Sequence, residues 1–516
     1  MRIGVDVGGT NTDAALLSGD SIVATAKVAT TEDITTGVFA AIQGAMSTGG
    51  TGSDEIERVM VGTTQFTNAF VQRRGLDEVA VVRLALPATA SIPPLTGWPP
   101  DLSRAMGCHT YLAKGGYEYD GREISALDEG EIREIAKDIG ERELRSVAIS
   151  CPFATVCSAM EDLAAEIIAA ELAGVAITKS SDIGSTGLLP RENAAIMNAS
   201  LLSIGDDVVG SLVVALEKLG IRKPLYISQN DGTLMTAAHA RRFPVLTFAS
   251  GPTNSMRGAA LLAQRQDAIV VDIGGTTSDI GVLEHGFPRQ SAVAVELAGV
   301  RTNFRMPDLL SIGLGGGSRV QTGEELRIGP ESVGYDLIRD ALVFGGATLT
   351  ATDVAVAFGY AEIGNRANVA HLDRSLLEEC RSWIHTILSE GIDRVKTSAG
   401  DQPVILVGGG SCLINERLHG ASDQIVPEHS EVANAIGAAI AQVGGEIDCV
   451  FGYEAVGRDA ALAQAREEAI GRAVEAGAEA DTVEVVSVEE VPLTYLPGGS
   501  VRVLVKAVGD LASVEV

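Results

Sequence analysis

Aromatic residues are scarce: 4% of the 516 residues, with two tryptophans, so the cores must rest on Val, Leu, Ile and Ala. Basic residues are also few, 39 against 68 acidic ones, and the net charge of −29 argues against a nucleic-acid partner and against an anionic membrane surface. Any phosphate site in so acidic a chain has to be local, made from backbone N–H groups and a cation. No apolar run reaches about 18 residues, so no membrane-spanning helix is expected. The longest candidate, 147–160, is interrupted by Pro152 and reads as a buried strand and turn. The six cysteines form no CxxC pair, which speaks against zinc and against an iron–sulfur cluster. They read as free thiols in a reducing compartment. No leader precedes the first strand, so the cytoplasm is the expected location.

Hydrophobic residues, at 46%, suffice for sizeable cores, and the length points to more than one domain. The chain opens on MRIGVDVGGTNTDAALL, and 268–283, AIVVDIGGTTSDIGVL, repeats the pattern. Each copy is an apolar strand, then Asp, an aliphatic residue, two glycines, Thr, a polar pair and a second Asp. The matching positions are Asp6, Gly8, Gly9, Thr10 and Asp13, and Asp272, Gly274, Gly275, Thr276 and Asp279. The pattern predicts two hairpins with glycine turns. A turn free of bulky side chains exposes concave rows of N–H groups that bind anions, phosphate above all. The hydroxyls of Thr10, Thr12, Thr276 and Thr277 add donors. Asp6 and Asp272, at the strand ends, would repel phosphate unless a cation such as Mg²⁺ lay between. The alternative is a duplicated fold without its ligand. Asp13 and Asp279 read equally as carboxylates supporting the site or as braces of the turn.

Further along, a strand at 58–61 ends in Gly62-Thr63-Thr64, with Asn68 in the helix that follows; these residues either cap the helix or wall a ligand cleft. Residues 87–122 break the regular pattern, with five prolines and with Trp98, Tyr111 and Tyr117. Aromatics are favoured in interface cores, so this insert and the C-terminal unit are the expected docking surfaces, unless the aromatics pack the insert on its own domain. Helices are expected at 129–141, 159–172 and 373–398, and two in succession over 188–219. Residues 305–320 hold Asp308, Ser311, Gly313, Gly315, Gly316 and Gly317. So dense a glycine run marks either close approach to a ligand or a surface loop. A helix over 431–443, another over 458–476 and strands at 483–495 and 501–507 complete the reading.

The two hairpins resemble the phosphate loops of the superfamily of sugar kinases, Hsp70 and actin. PVILVGGGS at 403–411 resembles its adenosine motif, and ANAIGAA at 433–439 its crossing helix. VGTTQFTNAFVQRRG at 61–75, NDGTLMTAAHARRFPVLTFASGP at 230–252, DLLSIGLGGGS at 308–318 and TATDVAVAFG at 350–359 narrow the resemblance. Together with the second hairpin they resemble the hydantoinase/oxoprolinase family, through most of residues 1–445.

That resemblance implies an α/β fold of two ribonuclease-H-like, actin/Hsp70-type domains with an interdomain ATP cleft, at 1–187 and 188–448, plus a small α/β unit at 449–516. It implies Mg-ATP held by Gly8, Gly9, Thr10, Asn11 and Thr12 on one wall and by Gly274, Gly275, Thr276 and Thr277 on the other. Gly408, Gly409, Gly410 and Ser411 would floor the nucleoside. Asp6 and Asp272 are the expected catalytic carboxylates and would hold Mg²⁺ directly or through water. Thr63, Thr64, Asn68, Asp308, Gly315 and Gly316 are the candidate cleft residues. The implied activity is phosphorylation of a cyclic-amide carbonyl in an ATP-dependent hydrolase. A second subunit, hydantoinase B-like or another hydrolase, would complete the reaction, because residues 446–516 hold no His, one Cys and no nucleophile motif. An acetone-carboxylase-type subunit, a small-molecule kinase and an ATP-switched scaffold or reactivase share the same nucleotide residues. An activator of a radical enzyme would need clustered cysteines, which are absent.

Overall fold

The structure is a computed structural model that describes residues 1–512 apart from Glu32, 292–294, 304–305, Glu324, Tyr495 and Pro497. The strand expected to end at Tyr495, the turn at Pro497 and the start of the glycine segment at Arg305 therefore reach outside the described residues.

Two sheets carry the two hairpins. In the first, Arg2–Val7 pairs antiparallel with Asn11–Ser18 and parallel with Arg58–Thr63. The strand Ser21–Ala29 closes one edge, and Leu225–Ser228 extends the other. In the second, Ala268–Ile273 pairs antiparallel with Ser278–Glu284 and parallel with Gln402–Val407, which is followed by Ala421–Ile425. Each central strand is apolar on both faces because helices cover both sides. Ile3, Val5 and Leu16 pack on Ile42 of the helix Ile34–Gly49 in the first half. Ile269 and Val271 pack on Leu388 and Ile392 of the helix Arg374–Val395 in the second. The Asp373 side chain caps that helix by accepting from Ser375 N–H, as its residue type predicts.

The halves meet at two helices, Ser250–Ala263 and Ala433–Ala439, which cross at backbone contact. A Cβ on Gly437 would lie 1.8 Å from the Asn254 carbonyl oxygen, and one on Gly258 would lie 2.0 Å from that of Ala433. Gly4 lets the short helix sit as closely on the first sheet, 2.0 Å from the Ala435 oxygen by the same measure. Only glycine permits this approach, and it fixes how the hairpins are presented to each other.

Residues 79–179 form a separate sheet of four parallel strands, in the order His109–Lys114, Val79–Leu86, Ser146–Ser150 and Ala176–Lys179. Parallel pairing demands crossovers, and the helices Glu129–Glu141 and Ala159–Glu171 supply two of them. Arg83 anchors this sheet through a buried two-pronged pair with Glu192 at 2.6 Å. Of the aromatics expected at a docking surface, Trp98 and Tyr117 are buried and Tyr111 is half-buried. Trp98 is buried, donates to Asn193 Oδ1 at 2.8 Å and meets Phe70 edge-on. Tyr117 is buried, and Tyr111 donates to Asp138 at 2.7 Å.

The expected boundaries at 187/188 and 448/449 do not follow the sheets. The first sheet has nine strands, and Thr233–Thr236, Gln442–Gly452, Ser500–Gly509 and Glu484–Pro492 continue it in that order beyond Leu225–Ser228. The second half therefore lends strands to the first, and the C-terminal unit extends the same sheet. The helix expected to run to 443 ends at Ala439, where the chain turns into the strand that joins that sheet. Among the described residues no single helix is long and apolar enough to cross a membrane.

Candidate functional site

The two turns are built alike. Gly8 N–H donates to the Asn11 carbonyl at 3.0 Å, and Gly274 N–H donates to that of Thr277 at 2.9 Å. These closing bonds do not use the N–H groups of Gly9, Thr10, Gly275 or Thr276, which lie at the turn tips. Strand register sets Asp6 opposite Asp13 and Asp272 opposite Asp279. The tips face each other across the gap between the halves: a Cβ on Gly275 would stand 3.5 Å from Thr10 Oγ1. Gly9, Gly275, Thr276 and Thr277 are exposed, while Gly8, Thr10, Asn11 and Gly274 are half-buried.

Behind the tips lies a concentration of carboxylates. Asp6 is buried, and its pKa is pushed up to about 7, first by burial, then by the charge of Asp13 and more weakly by Asp272. Asn434 Nδ2, from the crossing helix, donates to Asp6 Oδ2 at 3.3 Å and works the other way. Burial raises Asp272 to about 6, and Asp279 and Asp13 add to it, while the nearby Ser255 hydroxyl opposes the shift. Asp13 is gripped by Lys27, whose Nζ reaches both carboxylate oxygens at 2.7 Å. Asp279 has no such cation among the described residues; Ser311 Oγ donates to it. The halves differ most at this point. Lys27 is the cation that lowers both Asp6 and Asp272.

The glycine turn after Gln402–Val407 packs on the second hairpin. Gly408, at φ +85°, adopts a backbone that favours glycine and lies against the Asp272 carboxylate. Gly410 N–H donates to the Ile273 carbonyl at 2.7 Å. Gly409 is exposed with open space at its Cβ position, and Ser411 is half-buried beside it. On the other wall, Thr64 N–H and Oγ1 donate to the Val7 carbonyl, both at 3.3 Å, and Asn68 Nδ2 reaches Thr64 Oγ1 at 3.4 Å. Thr63 is buried, with its hydroxyl accepting from Gln65 N–H at 3.2 Å. The segment starts the helix Gln65–Gln72 and is bonded to the strand that leads into the first turn.

Four candidates lie off the open side of the turns. Thr12 is buried, with its hydroxyl 3.3 Å from that of Thr30, because strand alternation turns it away from the tip. Gly315 and Gly316 are buried behind the second turn, where Gly316 N–H donates to the Gly274 carbonyl at 3.0 Å. They brace the turn by close backbone approach. Asp308 stands at the far end of its strand and pairs with Arg289 at 2.8 Å.

The sequence reading missed Lys27, Asn254, Ser255 and Asn434. Lys27 lies directly opposite Asp13 in strand register. Asn254 is fully buried beside Gly62 and Asp6, and neither of its amide atoms has a hydrogen-bond partner among the described residues. Asp6 Oδ1, also buried, is likewise unpartnered there. Asn254 and Asn434 were detectable as lone amides within the small-residue helix starts GPTNS and VANAIG.

An unpaired buried carboxylate oxygen, a neighbouring free amide and an excess of negative charge fit a hard divalent cation. Among the described residues no three His, Cys, Asp or Glu side chains converge to hold a metal by themselves. The donor set therefore fits Mg²⁺, which keeps waters and takes its remaining ligands from phosphate oxygens.

Residues 2–172 match the family pattern described as the hydantoinase/oxoprolinase N-terminal region, and residues 191–368 match that described as hydantoinase/oxoprolinase. Caprolactamase subunit alpha of Pseudomonas jessenii is 26% identical over 386 residues, 70% of this chain and 54% of that protein. Acetophenone carboxylase gamma subunit of Aromatoleum aromaticum is 26% identical over 260 residues, 46% of this chain and 34% of that protein. The match thus spans about half of the first relative and a third of the second. The structure of ATP-dependent caprolactamase from Pseudomonas jessenii superposes with a TM-score of 0.80 at 21% identity, covering 99% of this chain and 88% of that one. Nucleotide-free acetone carboxylase gives 0.69 at 15% identity, covering 100% and 88%. These likenesses show a shared fold.

Proposed function

The chain belongs to the hydantoinase/oxoprolinase family, and we propose that it is the Mg-ATP-binding subunit of an ATP-dependent cyclic-amide hydrolase that phosphorylates the substrate carbonyl. The observation that carries this reading is the facing pair of like-built turns, headed by Asp6 and Asp272, with Asp6 Oδ1 buried and unpartnered among the described residues.

The turns Gly8–Asn11 and Gly274–Thr277 grip phosphate oxygens from opposite sides through backbone N–H groups and the hydroxyls of Thr10, Thr276 and Thr277. Asp6 and Asp272 hold Mg²⁺ directly or through water, with Asn254 beside them. Gly408–Ser411 carry the nucleoside on the open face at Gly409. Lys27 releases Asp13 to meet the negative charge that builds on the transferred group. Bound Mg-ATP would supply the phosphoryl group that activates the amide carbonyl carbon, so that water adds to it, the ring C–N bond breaks with the nitrogen taking up a proton, and a second water releases phosphate from the acyl phosphate. Thr63, Thr64 and Asn68 line the side of the first turn from which a small substrate approaches.

The relatives are named as subunits, alpha in caprolactamase and gamma in acetophenone carboxylase, which supports a second, hydrolase-type subunit here as well. The chain alone is expected to show weak or no ring opening. Similarity to the carboxylase subunit, equal in percentage to that of the caprolactamase, supports a second reading: activation of a ketone for carboxylation.

Calorimetry with ATP, ADP and Mg²⁺ tests the site; no binding at millimolar nucleotide to folded protein would refute it. With the partner present, ATP turnover that rises with a lactam supports the hydrolase. Turnover that rises only with a ketone and bicarbonate supports the carboxylase.

A further inference from the structure

A second cavity, of about 640 Å³, lies apart from the turns, where three parts of the chain meet. Its wall takes residues 181–185 from the end of the four-stranded insert, 229–231 and 233–236 from the first sheet, and 444–448, 472 and 475–476 from the C-terminal strands and helix. Four side-chain atoms of its lining are buried and unpartnered among the described residues: Asn230 Nδ2, Asn303 Oδ1 and the hydroxyls of Thr155 and Ser181. Such atoms are costly to leave without a partner.

The two asparagines are held firmly. Asn230 is 5% exposed; its N–H donates to the Leu246 carbonyl at 2.7 Å, and its own carbonyl accepts from Thr253 Oγ1 at 3.0 Å. Asn303 Nδ2 donates to the carbonyls of Ser185 and Thr186 at 2.8 and 3.3 Å. This fixes which way the amide faces and leaves Oδ1 as the spare acceptor, against Gly184 of the cavity wall. The wall thus keeps one amide donor and one amide acceptor in reserve.

Charged groups around it are largely satisfied. Asp231 pairs with Lys506 at 2.9 Å, Asp182 with Arg242 at 2.9 Å, and Asp448 with Arg502 at 2.7 Å. His239 also lines the cavity, and burial followed by the nearby Arg242 lowers its pKa, which keeps the ring neutral at physiological pH. A site with paired charges and spare neutral donors and acceptors suits an uncharged polar ligand rather than an ion.

The cavity is separate from the turns. The helix Ser250–Ala263 stands between them, with Thr253 bonded to Asn230 on one side and with Asn254 and Ser255 beside Asp6 and Asp272 on the other. A helix with its side chains is about 10 Å across, whereas a phosphoryl acceptor must come within about 3.5 Å of its donor. A molecule in this cavity cannot be phosphorylated where it sits.

We propose that this cavity is a binding station for a small neutral cyclic amide, held through its carbonyl by Asn230 Nδ2 and through its N–H by Asn303 Oδ1, one helix away from the phosphoryl-transfer position. The choice of a cyclic amide rests on the function proposed above. The shared helix couples the two places, so an amide that alters nucleotide affinity must have its own affinity altered equally by nucleotide.

The test is calorimetry on the full chain with 2-pyrrolidinone, and with cyclopentanone as a ring of similar size that lacks the N–H. The lactam should saturate the protein, and the ketone should bind about tenfold more weakly. Asn230→Leu should weaken lactam binding by about tenfold or more while nucleotide affinity stays within about twofold. Thr155→Val, which keeps the shape, should weaken it less and guards against misfolding of the first variant. Asp6→Asn should leave lactam binding unchanged. Lactam binding that survives Asn230→Leu and Thr155→Val but is lost in Asp6→Asn would move the amide to the turns and overturn the station. Nucleotide binding with no saturable lactam binding would overturn the station and leave the ATP site standing. Lactam binding without nucleotide binding would do the reverse.

Discussion

Asp6 and Asp272 carry the same tension, since each is a carboxylate held partly protonated by burial beside another carboxylate. A folded-state pKa near 7 for Asp6, against an ordinary 3.8, means that the folded protein binds that proton more tightly than the unfolded chain. The stabilisation is complete below pH ~4 and is lost as pH rises through ~7. Without metal, the protein should therefore lose thermal stability from pH 5 to pH 8. Asp6→Asn should flatten that slope while abolishing ATP turnover, and Mg-nucleotide should stabilise the wild type more at pH 8 than at pH 5. Melting curves across this range, with and without Mg-ADP, check all three statements. Lys27 opposes the same shifts. Lys27→Met should move the acidic limb of the ATP-turnover profile to higher pH and cut turnover by about 10²-fold, with partial recovery in Lys27→Arg. An unmoved pH limb would confine Lys27 to bracing the hairpin. The Asp and Gly positions were legible in the sequence because a tight turn at a strand end restricts residue type, and because the pattern occurs twice. Lys27 was not, because it reaches the site from a different strand and by itself looks like an ordinary strand residue, and Asn254 and Asn434 left only the faint signal of lone amides in small-residue helix starts.

At the level of elements, the crossing of Ser250–Ala263 with Ala433–Ala439 governs how the two turns face each other. Their glycines allow no substituent, since a Cβ on Gly437 would fall 1.8 Å from a backbone oxygen. Relief would require the helices to separate, which would shift Asn254 and Asn434 together. Gly437→Ala is expected to cost about 1–3 kcal/mol of stability. It should also lower ATP turnover by at least about tenfold, since small displacements of positioning groups are enough to do so. Denaturant unfolding and steady-state turnover measure the two effects separately; wild-type values in both would mean that the crossing is compliant. Most helices and strands were legible within a residue or two, because apolar periodicity and Asp or Thr caps mark their ends. The strand Gln442–Gly452 was misread as helix over its first residues, since Ala-rich sequence runs into it. Its Gly445 stays bare because the helix Arg458–Glu475 lies on it, with Ala473 N 2.2 Å from where a Cβ would stand. That requirement arises from a partner element that no local window contains.

Across the whole molecule, the C-terminal residues are the part whose place sequence order hides most. Residues 449–516 read as a small appended unit, yet Ser500–Gly509 pairs along the whole of Gln442–Gly452 within the nine-stranded sheet. Lys506 is buried, and its Nζ reaches the Asp231 carboxylate at 2.9 Å and the Asp231 carbonyl at 2.8 Å. Arg502 holds Asp448 from the same strand. A chain ending at 448 would leave a strand cut partway and an unpaired sheet edge, which is an aggregation hazard. It would also strand Asp231 without its cation, and breaking a buried pair from one side costs about 3–5 kcal/mol. Such a truncated chain should therefore be insoluble or melt far below the full chain, although every motif of the proposed ATP site lies within residues 1–448. Lys506→Met alone should reproduce part of the loss without shortening the sheet, and the double variant with Asp231→Leu should recover some of it by removing both charges. Thermal melts of the three proteins separate the broken pair from the missing strands. A truncated chain that melts like the full one and binds Mg-ATP would show that residues 449–516 are dispensable to the fold.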